Sequence, residues 1–123
     1  LVTSLRRYSL VCPHSEVDTW FPVSFIFYPA CPEASEQDAF STAYRCTAAA
    51  GGSSNVWILK PSDGGKGEGI RIMDDEGDIL AFLSTRPKGS IAWVVSRYIE
   101  RPLLLPGNRK FDWRLWVLLG HDS

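Results

Sequence analysis

The organisation of this chain follows from Lys60-Pro61-Ser62-Asp63-Gly64-Gly65-Lys66-Gly67-Glu68-Gly69-Ile70, a loop rich in glycine. The loop lies between two apolar runs, Val56 to Leu59 and Ile70 to Met73, whose residue types favour β-strands. The sequence therefore predicts a hairpin with a glycine-rich tip, which we call the flap.

The composition of the flap is typical of a loop that binds phosphate. Walker-type and dinucleotide-binding loops lead into a helix, and neither pattern is present here. Four glycines permit positive φ and close approach of the backbone to a ligand: Gly64, Gly65, Gly67 and Gly69. Successive N–H groups of such a loop can converge on an anion, and Lys60 and Lys66 add positive charge. A mobile surface hairpin is the alternative interpretation.

A second motif, Arg109-Lys110-Phe111-Asp112-Trp113-Arg114, follows further along the chain. If Lys110 to Leu119 is a strand, its period of two places Phe111, Trp113, Leu115, Val117 and Leu119 on one face. The opposite face then carries a row of charges made of Lys110, Asp112 and Arg114. Such a row suits phosphates, a metal ion and a carboxylate substrate. The solvated face of an amphipathic strand is the alternative.

These residues resemble the tubulin-tyrosine ligase and ligase-like family of the ATP-grasp superfamily. The resemblance rests on four blocks: residues 55–60 (Asn-Val-Trp-Ile-Leu-Lys), 66–70 (Lys-Gly-Glu-Gly-Ile), 98–105 (Tyr-Ile-Glu-Arg-Pro-Leu-Leu-Leu) and 109–118 (Arg-Lys-Phe-Asp-Trp-Arg-Leu-Trp-Val-Leu). Residues 21–29 are similar to the segment that these enzymes carry upstream of the flap. The blocks cover about the C-terminal half of the chain and are specific in combination.

The resemblance implies an ATP site. It places Lys60 at the phosphates, together with the flap residues Gly64, Gly65, Lys66, Gly67 and Gly69. It also implies an adenine-binding hinge at Arg97, Tyr98 and Ile99. Where the family usually carries Gln-Lys before this tyrosine, the chain has Ser96-Arg97, and the shorter serine puts the hydrogen bond to adenine in question.

The resemblance also implies the reaction. Lys110 and Asp112 are expected at the nucleotide and Arg114 at a substrate carboxylate. The expected enzyme ligates free tyrosine to the C-terminal glutamate of detyrosinated α-tubulin through an acyl phosphate, with ATP and Mg²⁺ as cofactors. The magnesium ligands of the family lie beyond Ser123. Two alternatives remain: a tubulin polyglutamylase or glycylase, against which the acidic Glu68 argues, and an inactive remnant that binds nucleotide or tubulin.

Composition sets further limits. A chain of 123 residues can bury one modest core. A net charge of −1 argues against a general nucleic-acid binder. The basic excess from Arg97 to Arg114 suits the acidic tail of α-tubulin, while for Arg101 and Arg109 we favour the alternative that their stems cover apolar surface. Three cysteines without a pairing pattern indicate a reducing compartment, and no apolar run is long enough to span a membrane. We therefore expect a cytoplasmic protein associated with microtubules.

The expected fold class is α+β, a partial ATP-grasp fold with a mostly antiparallel sheet. Residues 1–54 form a linking segment with one helix over about 32–50. Residues 55–123 form the central part of an ATP-grasp domain, truncated at its C-terminus. The remaining expected elements are an edge strand within Trp20 to Tyr28, a short helix from Asp78 to Leu83, and a hinge strand from Ile91 to Tyr98 that is buried on both faces.

Overall fold

The computed structural model describes residues 1–51, 54–87 and 91–116. Its centre is an antiparallel four-stranded sheet in the order β1-β4-β2-β3. The strands are β1 (Ser24–Phe27), β2 (Trp57–Pro61), β3 (Arg71–Met73) and β4 (Trp93–Arg97). The α-helices of the described part are α1 (Val2–Val11), α2 (Val17–Trp20), α3 (Gln37–Ala50) and α4 (Glu76–Ser84). The predicted α+β class with antiparallel pairing at the flap is confirmed.

The flap is a hairpin, as the sequence predicts. Strands β2 and β3 pair with Trp57 opposite Met73 and Ile58 opposite Ile72. On its other side β2 pairs with β4, which places Lys60 opposite Val94. The flap therefore joins the edge strand β3 to β2, and β2 lies directly beside the predicted hinge strand.

The core lies on one face of the sheet only. Because side chains alternate along a strand, every second residue of β1, β2 and β4 faces α3 and α4. The buried cluster consists of Phe25, Phe27, Phe40, Trp57, Leu59, Ile79, Leu83, Trp93 and Val95. Phe40 of α3 is completely buried, and its ring centroid lies 5.1 Å from that of Trp57. The two helices are therefore held on this face by aromatic and aliphatic packing.

The helix predicted over about 32–50 is divided. A 3₁₀ turn at Pro32–Ala34 is followed by extended backbone at Ser35, and α3 begins only at Gln37. The Ser35 hydroxyl accepts a hydrogen bond from the Tyr28 N–H at 2.8 Å, and the Glu36 carboxylate accepts one from the Ile26 N–H at 2.7 Å. The interruption thus satisfies backbone donors on the outer edge of β1, which a continuous helix could not do.

The N-terminal segment contains more structure than one helix. Helices α1 and α2 precede β1, and β1 is an edge strand of the described sheet, as expected for the run from Trp20 to Tyr28. Because β1 pairs with β4, the sheet takes one strand from before residue 54 and three from after it. No helix within the described ranges has the length and apolar character to cross a membrane.

The expectation that the hinge strand is buried on both faces is wrong. In β4, Trp93 and Val95 are buried against the core, whereas Val94 and Ser96 are half-buried on the opposite face. That face carries an open cleft instead of a second layer of helices. The apolar run in β4 therefore reflects one buried face and one partly apolar face that forms part of the cleft floor.

The expected strand starting at Lys110 is also not observed. Residues 110–116 have no regular secondary structure, and the side chains of Trp113 and Trp116 are 76% and 90% exposed. A strand requires a partner for its backbone groups, and no described strand pairs with this segment. The last part of the expected strand, 117–119, lies outside the described residues.

Candidate functional site

A cleft of about 540 Å³ lies on the face of the sheet opposite the core. The strands supply its floor, and the segments before β1 and after β4 supply its walls. The lining residues from the strands are Ser24, Ile58, Lys60, Pro61, Val94, Ser96 and Arg97. Those from the flanking segments are Leu1, Val2, Phe21, Pro22, Ser62, Tyr98 and Ile99.

Lys60 is the lysine of the cleft lining. It lies two residues after Ile58 on β2, so the period of two places both side chains on the cleft face. The intervening Leu59 points the other way and is completely buried. Burial of Leu59 thus fixes the face on which Lys60 presents its ammonium group.

Two hydroxyl groups meet in the floor of the cleft. Ser24 of β1 and Ser96 of β4 lie opposite each other, and their Oγ atoms are 2.8 Å apart. The Ser24 hydroxyl also lies 2.8 Å from the carbonyl oxygen of Pro22 and donates to it. Motif reasoning did not identify Ser24 as a site residue, although it falls within the upstream block 21–29. The pairing of β1 with β4 is what brings it to Ser96.

The predicted hinge residues Arg97, Tyr98 and Ile99 line the cleft at the end away from the flap. Their side chains point in different directions. The Arg97 guanidinium turns away towards the core face, where it donates to Asn55 Oδ1 at 3.1 Å and lies 5.7 Å from the Trp57 ring. The Arg97 and Tyr98 N–H groups donate to Val23 and Val56 carbonyl oxygens at 2.8 and 3.0 Å. The structure therefore brings the backbone of Arg97, but not its charge, to the cleft. Ile99 is 57% exposed at the rim.

The tip of the flap lies outside the cleft lining. Its turn is formed by positive φ at Lys66 (54°) and Gly67 (83°), with a hydrogen bond of 3.0 Å from the Glu68 N–H to the Gly65 carbonyl oxygen. Gly69 also has positive φ (74°), whereas Gly64 and Gly65 do not. Gly64 is required for a different reason. A Cβ there would lie 2.8 Å from Pro61 Cγ.

None of the predicted charged row lines the cleft, and Lys110 is the member that contacts a residue of the lining, Tyr98. Lys110 Nζ donates to the Tyr98 hydroxyl at 2.8 Å and lies 5.3 Å from the centroid of the Tyr98 ring. Asp112 and Arg114 are exposed and do not line the cleft. Lys110 is therefore a neighbour of the hinge, while Asp112 and Arg114 stay predictions.

The described ranges contain no group of three or more His, Cys, Asp or Glu side chains arranged to hold a metal ion. These residues do not fit a magnesium site by themselves, so we assign no ligand to Mg²⁺.

The fold and the cleft define a class of protein: a small α+β unit in which a glycine-rich hairpin and a hinge strand flank a cleft with a lysine at its flap end. The sequence model of the tubulin-tyrosine ligase family matches residues 24–122. The chain belongs to the tubulin-tyrosine ligase family, which confirms the resemblance that the motifs indicate.

The curated relatives that match this chain include tubulin glycylases. Tubulin monoglycylase TTLL3 of Homo sapiens is 43% identical over 70 residues, which are 55% of this chain and 9% of that protein. Tubulin glycylase 3C of Tetrahymena thermophila is 38% identical over 68 residues, 55% of this chain and 6% of that protein. Tubulin glycylase 3A of Drosophila melanogaster is 41% identical over 68 residues, which are 55% of this chain and 7% of that protein. The chain thus spans less than a tenth of the length of these relatives.

A solved structure also aligns with the chain. It is the C-terminal domain of Pby1 from K. lactis, described as an ATP-grasp enzyme that interacts with the mRNA decapping enzyme Dcp2. The alignment covers 84% of this chain and 28% of that chain, with 22% identity and a TM-score of 0.43.

Proposed function

We propose that the cleft is the ATP site of an ATP-grasp ligase that attaches an amino acid to tubulin, acting in the cytoplasm on microtubule protein. The observation that carries this proposal is that Lys60 and the hinge residues Tyr98 and Ile99 line one cleft beside the flap. Membership in the tubulin-tyrosine ligase family and the similarity to tubulin glycylases support the choice of tubulin as substrate.

The residues of the cleft fit a nucleotide. Its volume of about 540 Å³ falls within the range of pockets that bind small molecules. Its floor combines the apolar side chains of Ile58 and Val94 with the hydroxyls of Ser24 and Ser96 and the cation of Lys60. Apolar side chains suit a base, and an ammonium group suits a phosphate.

In this proposal the two ends of the cleft bind different parts of ATP. Lys60 would hold the phosphates at the flap end, and the residues around Tyr98 would hold the nucleoside. ATP supplies the phosphoryl group that activates a carboxylate for attack by an amine. This chemistry depends on alignment and charge neutralisation more than on a protein nucleophile. The flap, with its turn at Lys66 and Gly67, is the element that would cover the phosphates.

We extend the proposal to the substrates. Exposed Arg109 and Arg114 are available to attract an acidic peptide such as the α-tubulin tail, and Arg114 to pair with a carboxylate. Glycine is the favoured amino acid because matched relatives are named as glycylases. Tyrosine, which Glu68 favours in the sequence, is the second candidate.

The amino acid can be identified directly. Tubulin is incubated with the intact protein, ATP, Mg²⁺ and either labelled glycine, tyrosine or glutamate, and incorporation is counted. We expect label from glycine. Incorporation of tyrosine alone would reject glycylation, and incorporation of glutamate alone would reject both.

The nucleotide site is tested by Lys60→Ala, with ATP affinity measured by calorimetry. Loss of a charge-assisted hydrogen bond costs about 1.5–3 kcal/mol, so we expect affinity to fall at least about tenfold. The matched control is Arg45→Ala, which removes an exposed cation from α3 on the opposite face of the sheet. Equal affinities in Lys60→Ala and the unaltered protein would remove Lys60 from the site.

A further inference from the structure

One residue of α3 is bonded to both strands of the flap hairpin at its base. The carbonyl oxygen of Tyr44 accepts a hydrogen bond of 2.9 Å from Asn55 Nδ2, two residues before β2 begins. The Tyr44 hydroxyl donates to the carbonyl oxygen of Asp74, the residue directly after β3. Because Trp57 pairs with Met73, Asn55 and Asp74 lie close together at the base of the hairpin. We call Tyr44, Asn55 and the Asp74 carbonyl the flap clamp.

Tyr44 is a firm support for the base of the flap. Its side chain is half-buried and packs against the core cluster. Its ring centroid lies 6.1 Å from that of Phe40, which is completely buried. The hydroxyl and the carbonyl oxygen of Tyr44 are therefore held in place together with α3.

The side chain of Asn55 extends the clamp to the hinge strand. Asn55 Oδ1 accepts hydrogen bonds from Trp57 Nε1 at 2.9 Å and from the Arg97 guanidinium at 3.1 Å. Both of these groups can only donate, whereas the Tyr44 carbonyl can only accept, so the orientation of the Asn55 amide is fixed. Asn55 thus joins α3, β2 and β4 through one side chain.

The strand that most needs this support is β3. It has three residues and is an edge strand of the described sheet, whereas β2 has a partner on each side. Arg71 and Ile72 are exposed, and only Met73 is half-buried against the core. Short edge segments with few buried contacts open locally at low free-energy cost. The hydrogen bond from Tyr44 to Asp74 therefore matters for keeping β3 in place.

We infer that Tyr44 and Asn55 are positioning residues that hold the base of the flap and so favour its closed conformation over a bound triphosphate. The inference rests on the proposed nucleotide site. Neither residue lines the cleft, and Lys60 lies five residues beyond Asn55, about 17 Å along an extended strand. The clamp therefore acts through the flap. Apparent affinity for a ligand falls with the fraction of protein in the binding-competent conformation, so a looser base weakens ATP binding.

The clamp is tested by Tyr44→Phe, which removes the hydroxyl and keeps the ring in the core. Loss of this hydrogen bond should speed amide exchange of β3 about two- to tenfold in the absence of nucleotide, while amides of β4 keep their rates. Calorimetry should show the Kd for ATP rising by a similar factor with the number of sites unchanged. The matched control is Tyr8→Phe on α1, where the side chain is 53% exposed, and it should alter neither quantity.

A second variant, Asn55→Asp, tests the other bond of Tyr44. It keeps an acceptor for Trp57 and Arg97 but loses the donor to the Tyr44 carbonyl. We expect the same pattern, with faster exchange in the flap strands and a higher Kd for ATP.

The outcomes distinguish the clamp from the nucleotide site. Equal β3 exchange in Tyr44→Phe and the unaltered protein would overturn the clamp alone, and so would an equal change in Tyr8→Phe. Fewer ATP sites at an unchanged Kd, with faster exchange in β4 as well, would show general destabilisation and reject a positioning role. Absence of ATP binding by the unaltered protein would overturn the proposed nucleotide site and with it the effect of the clamp on binding.

Discussion

At the scale of single residues, the direction of each cation is decided by strand alternation. Lys60 and Arg97 lie on neighbouring strands, yet only Lys60 extends into the cleft. Arg97 shares the face of Trp57, its partner in the register, and donates to the Ser54 carbonyl oxygen at 2.9 Å. A basic residue in a strand near a motif is therefore a ligand candidate only if its side chain lies on the face of the sheet that carries the cleft.

A second feature at this scale lies away from the cleft, where the carboxylate of Glu33 shifts the pKa of the Cys31 thiol. The Cys31 thiol donates to Glu33 Oε1 at 2.9 Å. This hydrogen bond, together with burial and the negative charge of Glu33, raises the pKa of Cys31 above its ordinary value. The same hydrogen bond lowers the pKa of Glu33.

We predict that Glu33→Gln makes Cys31 more reactive. Without the carboxylate the pKa of Cys31 falls, so more thiolate is present at neutral and mildly alkaline pH and alkylation by iodoacetamide is faster. Peptide mass spectrometry reports the rate, with exposed Cys46 in the same sample as the reference. The difference should vanish at high pH, where the thiol is ionised in both proteins. An unchanged or slower rate for Cys31 at neutral pH would contradict the prediction.

At the scale of elements, the flap depends on which of its glycines are sterically required. Gly64 packs against Pro61, and an added Cβ would also lie 3.1 Å from the Glu68 carbonyl oxygen. Gly65, its neighbour, has no heavy atom within 4 Å of an added Cβ and no positive φ. The two residues look equivalent in the sequence and differ in the folded loop.

We predict opposite results for alanine at these two positions. Gly64→Ala should destabilise the hairpin by about 1–3 kcal/mol, because the proline ring and a backbone oxygen must shift. Gly65→Ala should be neutral or stabilise by up to about 1 kcal/mol, since it restricts only the unfolded chain. Thermal unfolding and amide exchange of β3 measure both effects. Equal behaviour of the two variants would show that the loop adopts another conformation.

Some boundaries of the helices are set by local residues, and others are set by contacts with distant parts of the chain. The C-terminal end of α3 is local, since Gly51 takes a positive φ of 62° there. The start of α4 is local as well, because Asp75 accepts a hydrogen bond from the Asp78 N–H at 2.9 Å. The beginning of α3 is set by contacts with β1, which no pattern within 32–50 contains.

At the scale of the whole molecule, the sheet has one packed face and one open face. Phe40 connects α3 to three aromatic residues of the sheet, Phe25, Phe27 and Trp57, at centroid distances of 5.1 to 5.8 Å. The packed face supplies the stability, which leaves the other face free to form the cleft.

We predict that Phe40→Ala destabilises the whole fold. The side chain is fully buried, so its removal leaves a cavity and should lower the free energy of unfolding by about 3–5 kcal/mol. Phe40→Leu fills most of the space and should cost less. Both are measured by urea denaturation, with Tyr8→Ala on exposed α1 as the control. A change below about 1 kcal/mol for Phe40→Ala would contradict the position of this side chain in the core.

The sequence by itself determined the flap hairpin, the edge strand, the α4 helix and the presence of a helix within 32–50. Each of these depends on periodicity, on turn residues or on caps within a short segment, and such signals are local. The same kind of signal gives a wrong prediction from Lys110 onward, where strict alternation predicts a strand and residues 110–116 form none. Alternation describes which side chains would share a face, but only a partner strand can satisfy the backbone.

Only the tertiary structure decided which residues meet in the cleft. Ser24 and Ser96 are 72 positions apart and become hydrogen-bond partners because β1 pairs with β4 in one particular register. The turning of Arg97 towards Trp57 and the position of Lys110 beside Tyr98 likewise depend on strand order. Long-range pairing is governed by the burial of one face of the sheet as a whole, and no local pattern in the chain carries that information.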